Sequence, residues 1–257
     1  MPWFIYCWSG QRAELSKRSR LLCIRKERTS LNKTIVSPAA RVFTVGVVLV
    51  TAALVVAQLP APDRIPGAHS IVSRHDPAVR IELPSNAQYV GADRWVLYEI
   101  ADCELHAFVE TRADKIVNRL YWIQFEGYLP EKPDLHHTYD SPRHMSIGGL
   151  DFFVDTWARD SGEKTTSGSD LEHIQSLIRA EGYTLPDTLV SVRLVHLLDE
   201  QKRKELMIIY SEDLPNSGLR AADLKPGGKA YSQWPDLEAS LIDRAKSRIK
   251  IEQLSNR

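Results

Sequence analysis

The uncharged run from Val42 to Pro62 constrains this chain more than any other feature. Its core, Val42 to Leu59, is built of Val, Leu, Ala, Thr, Gly, Phe and a single Gln. That is just the length a helix needs to cross a hydrocarbon layer roughly 30 Å thick. Pro60 and Pro62 end such a helix, because each lacks an N–H and has a fixed φ. The run also divides the charge. Residues 1–41 carry nine Lys/Arg and two Asp/Glu, a net of +7; the rest carries 24 and 31, a net of −7, so the overall zero conceals two opposed halves. A basic flank ahead of an apolar span places that flank in the cytoplasm and everything after the span outside it. The expectation is therefore a cell-membrane protein, single-pass, with residues 42–59 in the membrane and the C-terminal domain extracytoplasmic. The alternative is a signal peptide cleaved near Ala57, where small residues suit a peptidase, giving a periplasmic or secreted domain. Residues 1–41 read as a basic cytoplasmic or n-region; alternatively residues 1–35 lie upstream of a true start near Val36.

Residues 60–78, with Pro60, Pro62, Pro66, Gly67 and Pro77, predict an extended tether. The domain then runs from Val79 to Arg257. It contains one cysteine, Cys103, so no disulfide can form within it and the core must supply its stability. Cys103 itself reads as a small buried hydrophobe. The acidic balance excludes non-specific nucleic-acid binding, which needs a basic surface.

Strand-like runs follow closely: 95–100, 104–110, 119–128, 150–157, 189–197 and 205–210. The clearest is Arg119–Tyr128, where Tyr121, Ile123 and Phe125 share one face and Leu120, Trp122, Gln124 and Glu126 the other. Asp114–Lys115 and the charged link 199–204 predict hairpin turns. Residues 129–146, with three prolines, predict a loop. Two helices stand out. One covers about Asp170–Glu181, with Ser169 and Glu172 as a capping box and Gly182 as the left-handed stop. The other covers about Asp236–Gln253. Strands joined by tight turns, with few helices, give an α+β class: one mainly antiparallel sheet covered by about two helices.

Chemistry is sparse. The sequence has no G-x-S-x-G, H-E-x-x-H, P-loop, G-x-G-x-x-G or C-x-x-C. The densest cluster of ligand-type side chains is His136, His137, Asp140 and His144 in the 129–146 loop; imidazole and carboxylate suit a divalent transition metal. Tyr121, Trp122, Phe125 and Trp157 are candidates for a pocket taking an apolar molecule or a glycan, the ring faces supplying contact area. The function expected from these features is a tethered or exported extracytoplasmic accessory or binding domain, with an envelope protein or small ligand as partner. The alternative is a metal-binding protein or metal-dependent enzyme using the His136/His137/His144 loop.

Overall fold

The fold comes from a computed structural model that describes residues 61–112, 114–214 and 218–255. Residues 1–41 and the apolar run 42–59 lie outside the described residues. Among the described residues, no helix is long and apolar enough to cross a membrane.

Two antiparallel sheets form the framework. The larger has seven strands: β4 (Gln88–Leu97), β5 (Ala101–Thr111), β6 (Val117–Tyr128), β7 (Arg143–Ile147), β8 (Leu150–Asp160), β9 (Thr188–Leu197) and β10 (Lys204–Asp213), in the order β4-β5-β6-β10-β9-β8-β7. The smaller has four: β1 (Ile65–Pro66), β2 (Ser70–Arg74), β3 (Ala78–Glu82) and β11 (Lys250–Gln253), in the order β1-β2-β3-β11. Helices α1 (Asp170–Ala180) and α2 (Trp234–Arg248) complete the α+β architecture.

The large sheet is covered on both faces, which is why its central strands are apolar on both sides. One face carries Tyr121, Ile123, Phe125, Phe152 and Ile208; it packs on Ile71, Val79 and Ile81 of the small sheet and on Leu241, Ala245 and Ile249 at α2. The other carries Leu105, Leu120, Trp122 and Ile209 and packs on Ile174 and Ile178 of α1. The alternation read in β6 thus becomes two separate cores, one on each side of the sheet.

Local signals explain the connections. Tyr98 and Glu99 both have positive φ (47° and 60°), and Ile100 N–H reaches Leu97 O at 2.9 Å. This tight turn ends β4 at Leu97, so the expected strand 95–100 is a strand end plus a turn. At α1, Ser169 accepts from the Glu172 N–H (3.3 Å) while the Glu172 carboxylate accepts from Gly168 N–H (2.7 Å). The reciprocal cap is therefore displaced by one residue from the expected box. Gly182, at φ 76°, stops the helix as expected, with its N–H on Arg179 O and that of Tyr183 on Ile178 O.

Three expectations are corrected. Residues 60–78 are not only a tether: β1 and β2 lie within them, and Ile71 is fully buried. The folded region therefore starts before Val79. The alternation of Ile71 and Ser73 with Val79 and Ile81 across the pair makes this a half-buried ladder. The end of the expected loop 129–146 is strand: Arg143–Ile147 forms β7 against β8. The final helix ends at Arg248, not Gln253; Lys250–Gln253 pairs with Val79–Glu82. The edge of β3 offers unpaired backbone groups, and filling them outweighs one more helical turn.

Candidate metal centre

On the α1 side of the large sheet the apolar pattern breaks. Cys103 on β5, Glu126 on β6 and Glu205 on β10 are direct partners across three adjacent strands. They form one row on one face. Like charges placed directly opposite one another destabilise a sheet, and here the two carboxylates are buried. His137 approaches from the loop after β6, anchored by its N–H on Lys202 O at 2.7 Å. Asp170, the first residue of α1, closes the group. None of these five residues is more than 8% exposed.

The contacts are specific. His137 Nδ1 lies 3.0 Å from Glu205 Oε2. Tyr139 donates its hydroxyl to the same oxygen at 2.6 Å. Gln124 Nε2 donates to Glu126 Oε2 at 3.1 Å, and Trp122 Nε1 donates to Gln124 Oε1 at 2.9 Å. Glu126, His137 and Glu205 each bring one ligand atom into a set whose members all lie within 4.8 Å of one another; Cys103, Glu126 and Asp170 form a second such set. Within this group of five residues, two buried atoms have no hydrogen-bond partner among the described residues: His137 Nε2 and Asp170 Oδ1. The His137 ring is held near those of Tyr128 (4.5 Å) and Tyr139 (6.4 Å).

The electrostatics follow from burial without a cation. Among the described residues, no Lys or Arg forms an ion pair with Glu126, Asp170 or Glu205; the nearest guanidinium over Tyr139, that of Arg193, is committed to Asp155 at 2.6 Å. Burial, then the charges of Glu205 and Asp170, push the Glu126 carboxyl well above its usual range. Burial, then Glu205, raises Asp170 to about 6. Burial, then Glu126 and Asp170, raises the Cys103 thiol. Burial thus drives Glu126 and Asp170 toward their protonated forms, and a bound metal cation would take the place of those protons. Zinc-type ligand atoms sit about 2.0–2.3 Å from the ion, hence roughly 3–3.7 Å apart. Closing either set on an ion therefore needs side-chain shifts on the order of 1 Å.

The loop cluster read from the sequence is only partly brought together. His137 points into the core. His136, Asp140 and His144 are exposed, and His144 lies against the Phe153 ring at 4.6 Å. Proline-rich backbone turns successive residues of this loop in opposite directions, so neighbours in sequence do not share a centre.

The four aromatic candidates are divided by the sheet. Tyr121 and Phe125 face the small sheet; the Tyr121 hydroxyl donates to Glu110 at 2.6 Å, and Phe125 lies under the Arg64 guanidinium at 4.3 Å. Trp122 and Trp157 lie on the α1 side, where they line a cavity of only ≈ 40 Å³. The period of two along β6 forces this split.

A more open pocket of ≈ 310 Å³ lies among Arg64, Arg94, Asp102, Glu104, Tyr128 and Lys204, with Glu126 in its wall. Its charges are paired within the fold: Arg64 with Glu104 (3.0 Å), Arg94 with Asp102 (2.6 Å) and Lys204 with Asp76 (2.7 Å).

Glu126, Asp170, Glu205 and Cys103 were not candidates on sequence grounds, although a trace of the signal was there. In β6 the face Leu120-Trp122-Gln124-Glu126 turns polar at a strand position whose neighbours are core. In β10, Glu205 precedes Met207 and Ile209 on the same face. No family model, curated protein or solved structure matches the chain.

Proposed function

We propose that this chain is a membrane-tethered, extracytoplasmic domain that binds a divalent metal ion through Glu126, His137 and Glu205. The observation behind the metal reading is the convergence of two buried carboxylates and a buried imidazole, one ligand atom of each lying within 4.8 Å of the others. Two ionised carboxylates and a neutral histidine complement the charge of one divalent cation, and mixed O/N ligation suits a transition metal. Tyr139 and Gln124, already hydrogen-bonded to Glu205 and Glu126, would orient the ligating oxygens as outer-shell partners do.

The test is equilibrium dialysis of the full chain in detergent against Zn2+, with thermal unfolding alongside. Zn2+ at a thousandfold excess over its Kd is expected to add about 4 kcal/mol, or roughly 8–16 °C in Tm. His137→Ala and Glu205→Gln are expected to lose the ion, whereas His136→Ala and His144→Ala keep it. A Zn2+ content in His137→Ala equal to that of the wild type would end this reading.

The address is supported by the uncharged run 42–59 and by the change from +7 to −7 across it. Protease added outside sealed cells is expected to digest the domain. The mass of the mature chain separates a retained anchor from cleavage near Ala57. Full protection of the domain would overturn the topology.

A further inference from the structure

We infer that Cys103, Glu126 and Asp170 form a second cation site, joined to the first through the Glu126 carboxylate, so that the core holds a pair of divalent ions such as Zn2+. This rests on the metal reading of Glu126, His137 and Glu205.

The geometry is that of two overlapping triads. Cys103 Sγ, one Asp170 oxygen and one Glu126 oxygen lie within 4.8 Å of one another, as do the ligand atoms of Glu126, His137 and Glu205. Only Glu126 belongs to both. A carboxylate has two oxygens, so Glu126 can give one to each ion, as bridging ligands do in two-metal centres with ions about 3.5–4 Å apart. Glu126 is also the middle residue of the Cys103–Glu126–Glu205 row, with one partner strand on each side.

A second observation points the same way. Asp170 is 95% buried, and its Oδ1 has no partner. A single ion between Glu126, His137 and Glu205 would leave that oxygen unsatisfied, at a cost that buried acceptors rarely bear. An ion bound by Cys103 and Asp170 satisfies it. The α1 cap fixes where Asp170 starts, because Ser169 Oγ holds the Glu172 N–H.

Charge balance follows. Three carboxylates and one thiolate carry four negative charges, and two divalent ions carry four positive ones. The Cys103 thiol proton, and any protons on the carboxyls, leave to solvent as the ions bind. A thiolate, an imidazole and carboxylates select a borderline-soft ion over Mg2+ or Ca2+, which take all-oxygen sets.

The test is metal stoichiometry by elemental analysis of the full chain in detergent, loaded with Zn2+ and freed of excess. Two Zn2+ per chain are expected, falling to one in Cys103→Ser and in Asp170→Asn. One Zn2+ in the wild type, unchanged in Cys103→Ser, overturns the second site and leaves the first standing. No Zn2+ overturns both. Co2+ loading of the wild type gives a readout that does not depend on any variant folding. A thiolate-to-cobalt charge-transfer band in the near ultraviolet is expected, and its absence in protein carrying two Co2+ overturns the assignment to Cys103.

Discussion

Arg203 is the residue whose loss would most directly open the loop that carries His137. It sits at the end of the β9–β10 link, and its guanidinium gathers five main-chain carbonyls. Nη1 donates to Lys132 O (2.7 Å), Pro133 O (2.8 Å) and Leu135 O (3.1 Å), and Nη2 to Tyr128 O (3.3 Å) and Leu129 O (3.0 Å). Four of these bonds are partly buried; that to Pro133 is exposed and would be replaced by water. At about 1 kcal/mol net for each of the four, less the rotamer entropy that a freed side chain regains, Arg203→Met is expected to weaken the loop by about 2–3 kcal/mol. Read as hydrogen exchange, that is a loss of about 30- to 150-fold in protection, since 1.36 kcal/mol is a factor of ten. The reporter is the His137 amide, which bonds to Lys202 O at 2.7 Å. The Ile174 and Ile178 amides in α1, which make no contact with Arg203, serve as the internal control. Arg203→Lys is expected to recover only a small part, because an ammonium cannot span carbonyls that a planar fork reaches together. Bound Zn2+ is expected to leave faster from Arg203→Met, because opening exposes His137. A change of less than threefold at His137 would refute the clamp; an equal fall at Ile174 and Ile178 would mean that the loss is global.

Glu110 lies between the large sheet and α2, accepting from Tyr121, Arg119, Arg248 and Asn86 at 2.6–2.9 Å. Glu110→Ala removes an acceptor from a buried hydroxyl and from two partly exposed guanidinium groups, of which Arg119 keeps Tyr210 and Glu212, and is expected to cost about 2–4 kcal/mol, seen as a Tm lower by roughly 8 °C; a fall below about 2 °C would refute it. Gly148 turns β7 into β8 at φ 59°, and a Cβ there would meet Ile251 O at 2.1 Å. Gly148→Ala is therefore expected to dislodge β11 from β3, with exchange protection lost at Ile251 and kept in α1; intact Ile251 protection would show that the backbone yields elsewhere. For Glu212, burial would raise the carboxyl, but hydrogen bonds from Arg244 and Tyr210 and the charges of Arg244 and Arg119 outweigh it and hold it below its usual 4.5. The stability this adds is complete above about pH 4.5 and is lost as pH falls through the lowered native value. The gap in urea midpoint between wild type and Glu212→Gln is thus expected to be widest at pH 7 and to close in strong acid; a constant gap from pH 7 to pH 3 would refute it.

The sequence by itself determined what local physics controls. Alternation along β6 and the charged link between β9 and β10 specify strands and hairpins through contacts a few residues apart. Ser169, Glu172 and Gly182 specify α1 because a cap satisfies backbone groups within one turn. The uncharged run 42–59 is likewise a property of composition alone. Tertiary structure decided the rest. β2 and β11 became strands only because β3 offered each an edge, and the β3–β11 pairing joins the two ends of the folded region. The candidate centre shows the same dependence. Cys103, Glu126 and Glu205 meet through strand register, Asp170 through the position of α1, and His137 through a loop fixed on Arg203 and Lys202. In sequence these residues are spread over about a hundred positions without a motif, while the conspicuous neighbours His136 and His144 face solvent. A cluster made by strand register carries no fixed spacing along the chain. Its one trace there is a polar residue at a strand position where the neighbours on both sides are core.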